Sequence, residues 1–215
     1  MQNAILKNEF SDNASFHDAS FNLSNNDKNI SEDLKMNKSL HEIAKMRKKE
    51  IDNPQISYLN VNSLRNKIHD IRDLTSKLLP TVLAISETKI DNSFPDSQFF
   101  IEGYQNPKDF RKDRTNEGGG LITFVLNGVP CRRISKMEPP DLEVLCIEID
   151  FGKIKWAVIS VYRQASKQTP NVYLEGLEKC IEKVTNSYDN IIIIGDINID
   201  TLNKDSYGYH DYESF

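Results

Sequence analysis

The chain has 215 residues, of which 38% are hydrophobic. This length and composition suit one domain with a substantial core. The 27 basic and 32 acidic residues give a formal net charge of −5, so the chain as a whole does not attract a polyanion. Binding to nucleic acid would depend on a local basic surface or on a bound cation, which disfavours a passive DNA-binding module.

The three cysteines, Cys131, Cys146 and Cys180, lie far apart, each in an apolar pattern without a partner at zinc-site spacing. We interpret them as reduced, buried thiols, which favours an intracellular protein. The first residues lack a basic segment leading into a long apolar one, and no stretch approaches membrane-spanning length. We therefore expect neither secretion nor membrane insertion.

Residues 1–54 differ in composition from the rest: Asn, Ser, Asp and Lys dominate, and Val, Tyr, Trp, Gly and Cys are absent. Such a segment has too little apolar surface to offset the entropy lost on ordering, so we predict a disordered tail. Residues 39–50 could form a short helix with four basic residues. A solvated charge run is favoured there over a nucleic-acid arm or localisation signal.

From residue 55 the chain alternates strand-like and helix-like segments. Residues 56–60 and 82–86 predict strands, and Ser63 is placed to cap an intervening helix that Pro80 ends. The apolar positions of that helix recur at helical spacing: Leu64, Ile68, Ile71, Leu74 and Leu78. After a triple glycine, residues 121–126 predict a further strand.

The second half continues this alternation. Residues 142–150 and 154–162 flank Phe151-Gly152-Lys153 and predict an antiparallel hairpin in which Leu145, Ile147 and Ile149 share one face. Thr169-Pro170 predicts the start of a second long helix with an apolar stripe, made by Leu174, Leu177, Ile181 and Val184. The isoleucines at 191–194 predict a strand covered on both faces. The fold class is α/β with a mixed sheet.

Polar residues follow several of these strands, namely Asn60, Glu87, Tyr162, Asp196 and Asn198. If the strand ends share one rim, the residues form a cluster of hard oxygen ligands that suits Mg²⁺. Each residue taken alone also has a simpler explanation. The Asn and Asp residues are common in turns, a carboxylate is favourable at a helix start, and a tyrosine suits a half-buried sheet.

The order and identity of five motifs resemble the endonuclease/exonuclease/phosphatase family, and more narrowly the apurinic-type endonuclease domain of non-LTR, jockey-like retrotransposons. The motifs are Leu59-Asn60-Val61-Asn62-Ser63-Leu64, Ser86-Glu87-Thr88-Lys89, Glu117-Gly118-Gly119-Gly120-Leu121, Val161-Tyr162-Arg163 and Gly195-Asp196-Ile197-Asn198. The resemblance covers residues 55–215 and implies a layered α/β sandwich with mixed, largely antiparallel sheets whose last strands are missing.

The resemblance also implies a divalent cation, Mg²⁺ with Mn²⁺ as the alternative, with Glu87 as its principal ligand and Asn60 beside it. No small-molecule cofactor is implied. These assignments are consistent with phosphodiester cleavage, which requires mainly positioning and stabilisation of charge on phosphate oxygens.

Further roles follow from the same motifs. The resemblance implies that Tyr162 contacts the scissile phosphate or holds neighbouring groups, while Asp196 and Asn198 orient the attacking water and the phosphate. Lys89 and Asn62 are implied as additional partners of the substrate phosphate. DNA is the implied substrate, and a nuclease that acts on chromosomal DNA has to reach the nucleus.

Family members continue through another Asp and a final Ser-Asp-His, whereas this sequence stops at Phe215. None of its four histidines matches the missing one. We therefore expect an exposed sheet edge, marginal folding and impaired catalysis, as for a fragment, a degenerate copy or an incomplete gene model.

Two alternatives to a DNA-nicking enzyme remain. The same fold could act on a phospholipid or small phosphoester, because related folds host several substrate classes. The chain could also be a non-catalytic retroelement remnant. Target-site preference and oligomeric state are not determined by the sequence.

Overall fold

The structure, a computed structural model, describes residues 53–215. The predicted disordered tail and its basic helix lie almost wholly outside the described residues. Within the described part, no helix combines the length and the hydrophobicity needed to cross a membrane.

Eight strands form two four-stranded sheets in the described part of the chain. The first sheet has the order β1-β2-β4-β3, and its strands are Ile56–Asn60 (β1), Val82–Ser86 (β2), Leu121–Val125 (β4) and Arg111–Lys112 (β3). The second has the order β5-β6-β7-β8, with strands Cys131–Arg133 (β5), Glu143–Phe151 (β6), Ile154–Tyr162 (β7) and Asn190–Asp196 (β8). Two pairs are parallel, β1 with β2 and β7 with β8, and the others are antiparallel.

The two sheets pack against each other, and a helix covers the outer face of the second sheet. Along β6, Leu145, Ile147 and Ile149 point into the core between the sheets, as predicted. The alternate residue Cys146 packs with Leu177 under helix α2 (Pro170–Thr185). Buried residues of helix α1 (Leu64–Leu78) belong to the same hydrophobic cluster as the first sheet, and a short helix α3 spans Tyr209–Ser214. This layered α/β arrangement confirms the predicted fold class.

Neither predicted helix cap forms. The side chains of Ser63 and Thr169 make no capping hydrogen bond, although the helices begin directly after them. At α1 the backbone N–H of Ser63 instead donates to the Glu87 carbonyl at 2.8 Å, and that of Leu64 donates to the Thr88 carbonyl at 2.9 Å. A tertiary contact therefore satisfies the first free N–H of the helix, whereas a side-chain cap would bind the N–H of Arg65 or Asn66.

One burial prediction was wrong, because the isoleucine strand β8 is not covered on both faces: Ile193 is 44% exposed. Ile193 points to the same face as Ile191, which packs in the cluster with α2, so that helix covers only part of this face. Within the described residues β8 is an edge strand that pairs only with β7. Leu78, the last apolar position of α1, is 58% exposed, and Leu79 after it adopts a left-handed conformation.

Gly195 lies where β7 and β8 approach most closely. A Cβ atom there would lie 1.9 Å from the Val161 carbonyl oxygen and 2.7 Å from Val161 Cγ2. We expect Gly195→Ala to lower the free energy of unfolding by about 2–3 kcal/mol because the two strands must separate. Gly118→Ala is the matched control, since its nearest neighbour atom would lie 3.9 Å away. Urea unfolding of the two variants measures the difference, and equal midpoints would contradict the prediction.

Glu148 anchors a polar network on the second sheet. It accepts hydrogen bonds from Arg132 at 2.6 and 3.0 Å and from the Tyr188 hydroxyl at 2.6 Å. Chiefly through Arg132 and then Tyr188, these bonds lower the Glu148 pKa to about 2 from its ordinary 4.5. A carboxylate with a depressed pKa stabilises the fold above its unfolded-state pKa, and this contribution is lost as pH falls through the folded-state pKa.

We expect Glu148→Gln to cost about 1–2 kcal/mol at pH 7. The gap between wild type and variant should close as the pH falls from 4.5 to about 2, the window set by the two pKa values. Denaturant unfolding across this range measures the gap. A gap that stays constant down to pH 2 would show that the carboxylate charge is not what Arg132 and Tyr188 stabilise.

Candidate active site

The ends of four strands meet at one rim of the molecule. In the first sheet Asn60 ends β1 and pairs with Ser86, the residue before Glu87. In the second, Tyr162 ends β7 and pairs with Asp196 at the end of β8. Because both pairs are parallel, each sheet delivers its polar residues to the same end. The structure thus brings together four residues that the sequence analysis selected.

The Asn60 side chain joins the two sheets. Its amide nitrogen donates to Glu87 Oε1 at 2.9 Å and to Asp196 Oδ2 at 3.1 Å. Its amide oxygen accepts from the backbone N–H of Asn62 at 3.2 Å, which fixes the orientation of the amide group. Two carboxylates from different sheets therefore converge on one neutral donor.

Tyr162 completes this cluster. Its hydroxyl donates to Glu87 Oε1 at 3.0 Å. Burial, followed by the hydrogen bond and the negative charge of Glu87, raises the Tyr162 pKa far above its ordinary value. The phenol thus stays protonated and acts as a hydrogen-bond donor.

Backbone contacts hold Glu87 in an unusual conformation. Glu87 and Lys89 have φ angles of 53° and 51°, in the left-handed region that non-glycine residues rarely adopt. The N–H groups of Thr88 and Lys89 donate to the carbonyls of Gly120 and Gly119 at 3.3 and 2.9 Å. The segment that carries Glu87 is therefore held between the triple-glycine segment and the start of α1.

Two of the three glycines are required by this close approach. A Cβ atom on Gly120 would lie 2.3 Å from Thr88 Oγ1, and one on Gly119 would lie 2.6 Å from Glu143 Oε1. Glu143 also accepts the Gly120 N–H at 2.5 Å and forms an ion pair with Arg114. The sequence analysis did not select Glu143, which stands opposite Tyr162 in the β6–β7 pairing. The position of Glu143 beside Tyr162 could be predicted only from the register in which β6 and β7 pair.

The turn after β8 is stabilised separately. The N–H of Asn198 donates to Asp196 Oδ1 at 2.8 Å, and the Asn198 side chain donates to the Arg163 carbonyl at 2.7 Å. Asn198 therefore stands beside the four-residue cluster, with its amide nitrogen directed to the backbone. Arg163 is a second residue that the sequence analysis did not assign, although it follows Tyr162 in the same motif.

The remaining two candidates are less closely joined to the cluster. Asn62 contacts it only through its backbone N–H. Lys89 is two residues from Glu87 and half-buried. Within residues 53–215, no hydrogen bond or ion pair of the Lys89 ammonium to the other candidates is found.

The donor set fits a hard divalent cation with few protein ligands. Two carboxylates converge on the Asn60 amide, whose oxygen is its one metal-binding atom, while residues 53–215 contain no group of three or more His, Cys, Asp or Glu side chains that could hold a metal. Mg²⁺ is typically held by one or two carboxylates and takes water or substrate phosphate at its other positions. The site could bind such a cation but not a soft metal that needs His or Cys ligands.

A cleft of about 280 Å³ opens beside the cluster. Its lining combines residues of both charges and two amides: Arg114, Asp141, Glu143, Gln164, Lys167 and Gln168. Glu143 connects this cleft to the cluster through its pairing with Tyr162.

No protein-family model and no curated protein matches the chain. Solved structures do match it. They include the AP endonuclease LMAP from Leishmania major (TM-score 0.56, 16% identity, 75% of this chain and 65% of that chain). A 3′ phosphatase, NExo from Neisseria bound to a product DNA hairpin, matches with a TM-score of 0.53 and 16% identity over 74% of this chain and 68% of that chain. The endonuclease domain of TRAS1, a telomere-specific non-LTR retrotransposon, matches with a TM-score of 0.53 and 12% identity over 73% and 68%.

This likeness establishes the fold. The chain has the endonuclease/exonuclease/phosphatase fold that the sequence motifs resemble. It spans about two thirds of the length of these structures, 65% to 68%.

The bridge made by Asn60 leads to a stability prediction. Asn60→Asp would replace a shared donor by a third negative charge, so in EDTA we expect a loss of about 1–2 kcal/mol in unfolding free energy. Asn60→Ala, which removes the donor without adding charge, should lose less. In 1 M NaCl the difference in unfolding free energy between Asn60→Asp and Asn60→Ala should become smaller, because this salt concentration reduces the Debye length to about 3 Å.

Asn203→Asp serves as the control, since the Asn203 side-chain oxygen accepts the Asp205 N–H and an Asp can do the same. Denaturant unfolding at low salt and in 1 M NaCl measures the unfolding free energy of each variant. If Asn60→Asp has the same unfolding free energy as wild type at low salt, the carboxylates of Glu87 and Asp196 do not converge on residue 60 in solution.

Proposed function

We propose that the chain is a Mg²⁺-dependent phosphodiesterase of retrotransposon origin that nicks DNA. The observation that carries this proposal is the Asn60 amide, which holds Glu87 and Asp196 together across two sheets with Tyr162 beside them. The solved structures of the same fold support it, since their names include an AP endonuclease and a retrotransposon endonuclease domain.

Glu87 would hold the cation through its carboxylate and Asn60 through its amide oxygen, which in this structure accepts the Asn62 N–H, and Mn²⁺ would substitute for Mg²⁺. When bound, the cation would offset charge that develops on phosphate oxygens. It would also reduce the repulsion between a phosphate and the two carboxylates, which matters in a chain whose net charge is −5.

The other residues of the site would position the reactants. Asp196 is an acceptor for a proton of the attacking water, and Asn198 keeps the Asp196 carboxylate in place through its N–H. Tyr162 donates its one O–H to Glu87 in this structure, and it would donate that proton to a phosphate oxygen instead once a cation occupies Glu87. Lys89 and Asn62 would contact the same phosphate. Positioning of this kind accounts for much of the rate enhancement in phosphoryl transfer.

DNA is the proposed substrate. Of the basic residues that line the cleft beside the cluster, Arg114 is paired with Glu143, and Lys167 would contact the phosphate backbone. One structure with this fold contains a product DNA hairpin. Because a retroelement nuclease acts on chromosomal DNA, we also propose a nuclear location.

The test is nicking of supercoiled plasmid by the purified 215-residue chain with Mg²⁺ and with EDTA. We expect nicking only with Mg²⁺, and we expect Glu87→Gln and Asp196→Asn each to reduce the rate by about 100-fold or more. Mn²⁺ binding, followed by electron paramagnetic resonance, should weaken in Glu87→Gln.

Matched controls separate this prediction from a general loss of structure. Asp189→Asn makes the same chemical change at the opposite end of β8, and Glu178→Gln makes it on the exposed face of α2. Both should nick and bind Mn²⁺ like wild type. Equal nicking by wild type and Glu87→Gln, or turnover of a phospholipid or small phosphoester without nicking, would overturn the proposal.

A further inference from the structure

Arg163 is the largest fully buried side chain with a charge, and it is 1% exposed. Its guanidinium donates to three backbone carbonyls, those of Ile197, Asn198 and Gln168, each at 2.6 Å. No carboxylate forms an ion pair with it among the described residues. Burial lowers its pKa from the ordinary value, but an arginine remains charged at any working pH.

A buried charge is costly unless polar groups compensate for it. Here all three hydrogen bonds of the guanidinium go to carbonyls, and two of these carbonyls belong to the turn that follows Asp196. Asn198 has a φ of 50°, so this turn departs from a strand or helical conformation. The guanidinium therefore satisfies carbonyls that the turn directs into the protein, where they would otherwise lack a partner.

The backbone of Arg163 contacts the same turn. Its N–H donates to the Asp196 carbonyl at 2.9 Å, and its carbonyl accepts from the Asn198 side chain at 2.7 Å. Every polar group of Arg163 is thus hydrogen-bonded, and four of these five bonds involve residues 196–198. This concentration on one turn distinguishes Arg163 from an arginine that stabilises the core in general.

The fifth bond connects this turn to the cleft. Gln168, whose carbonyl accepts from Arg163 Nη1, lines the cleft together with Gln164 and Lys167. Arg163 therefore lies between the Asp196 turn and one wall of the cleft. Its planar guanidinium fixes the distance between the turn and that wall.

We propose that Arg163 is a positioning residue for the reaction: it holds Asp196 and Asn198 in their working orientation and aligns them with the cleft wall. This inference rests on the proposed function. A planar fork with fixed donor directions is required, because three carbonyls must be bound at once. A lysine retains the charge but cannot reproduce that geometry.

The test compares Arg163→Lys with Arg133→Lys in the full chain. Arg133 also uses Nε, Nη1 and Nη2, which donate to Glu138 and to the Arg111 carbonyl at 2.7 to 2.9 Å, but it lies on β5 away from the rim. For Arg163→Lys we expect kcat for nicking to fall about 100-fold with KM changed less than about threefold, since misplacement of reacting groups acts mainly on the chemical step. Arg133→Lys should retain the wild-type kcat.

Amide hydrogen exchange gives a readout that does not require activity. In Arg163→Lys, exchange at residues 196–198 and 168 should accelerate at least about tenfold while β6 and α2 stay protected, since a local opening affects only the amides it exposes. Arg133→Lys should leave those amides unchanged. Slow exchange at residues 196–198 in Arg163→Lys would overturn the inference, as would an equal loss of kcat in both variants.

Two further outcomes are distinguishable. If wild type does not nick, the proposed function fails, while the exchange data still decide whether Arg163 holds the turn. If Arg163→Lys does not fold, nuclear magnetic resonance of the wild-type guanidinium decides. Separate, slowly exchanging Nη protons support an immobilised fork, and averaged signals from a rotating group contradict it.

Discussion

The rim depends on one hydrogen-bonding group, the amide nitrogen of Asn60, which contacts a carboxylate from each half of the molecule. The carboxylates of Glu87 and Asp196 both lie within hydrogen-bond distance of this nitrogen, and they would repel each other if no donor or cation stood between them. The neutral amide reduces this repulsion only in part, because it adds no positive charge. A site built in this way therefore favours a cation, and that preference is the physical basis of the proposed chemistry.

The backbone around this group is arranged at some energetic cost. Five non-glycine residues at the rim have positive φ angles: Asn62, Ser63, Glu87, Lys89 and Asn198. Each such conformation is unfavourable by roughly 1 kcal/mol or more and persists only where the surrounding structure imposes it. Hydrogen bonds impose these conformations: the triple glycine, the start of α1 and Arg163 each hydrogen-bond to one of the segments that contain these residues. Strain concentrated at one rim of the fold indicates a functional site rather than a folding requirement.

The distribution of charge around the rim also favours a bound cation. The rim cluster is acidic, the nearby cleft contains both signs, and a buried arginine lies behind the turn that carries Asp196. Such an arrangement would attract a phosphate only with a cation in place, which agrees with the absence of an overall positive charge in the sequence. Arg163 is too deeply buried to contact substrate, so its positive charge serves the geometry of the turn.

The sequence by itself determined six of the eight described strands, the two long helices and the identity of the rim residues, whereas the short strands β3 and β5 were not predicted. Alternating and helical apolar patterns report local geometry, and the motifs at Asn60, Glu87, Tyr162 and Asp196 carry their own chemistry. Tertiary structure alone decided how these residues are held. Ser63 does not cap its helix because its backbone, bound to the Glu87 carbonyl, has a φ of 99° instead of an extended conformation, and Ile193 is exposed because helix α2 covers only part of that face of β8. The roles of Glu143 and Arg163 depend on partners 23 to 35 residues away, and no local pattern can encode contacts that form only when distant strands pair.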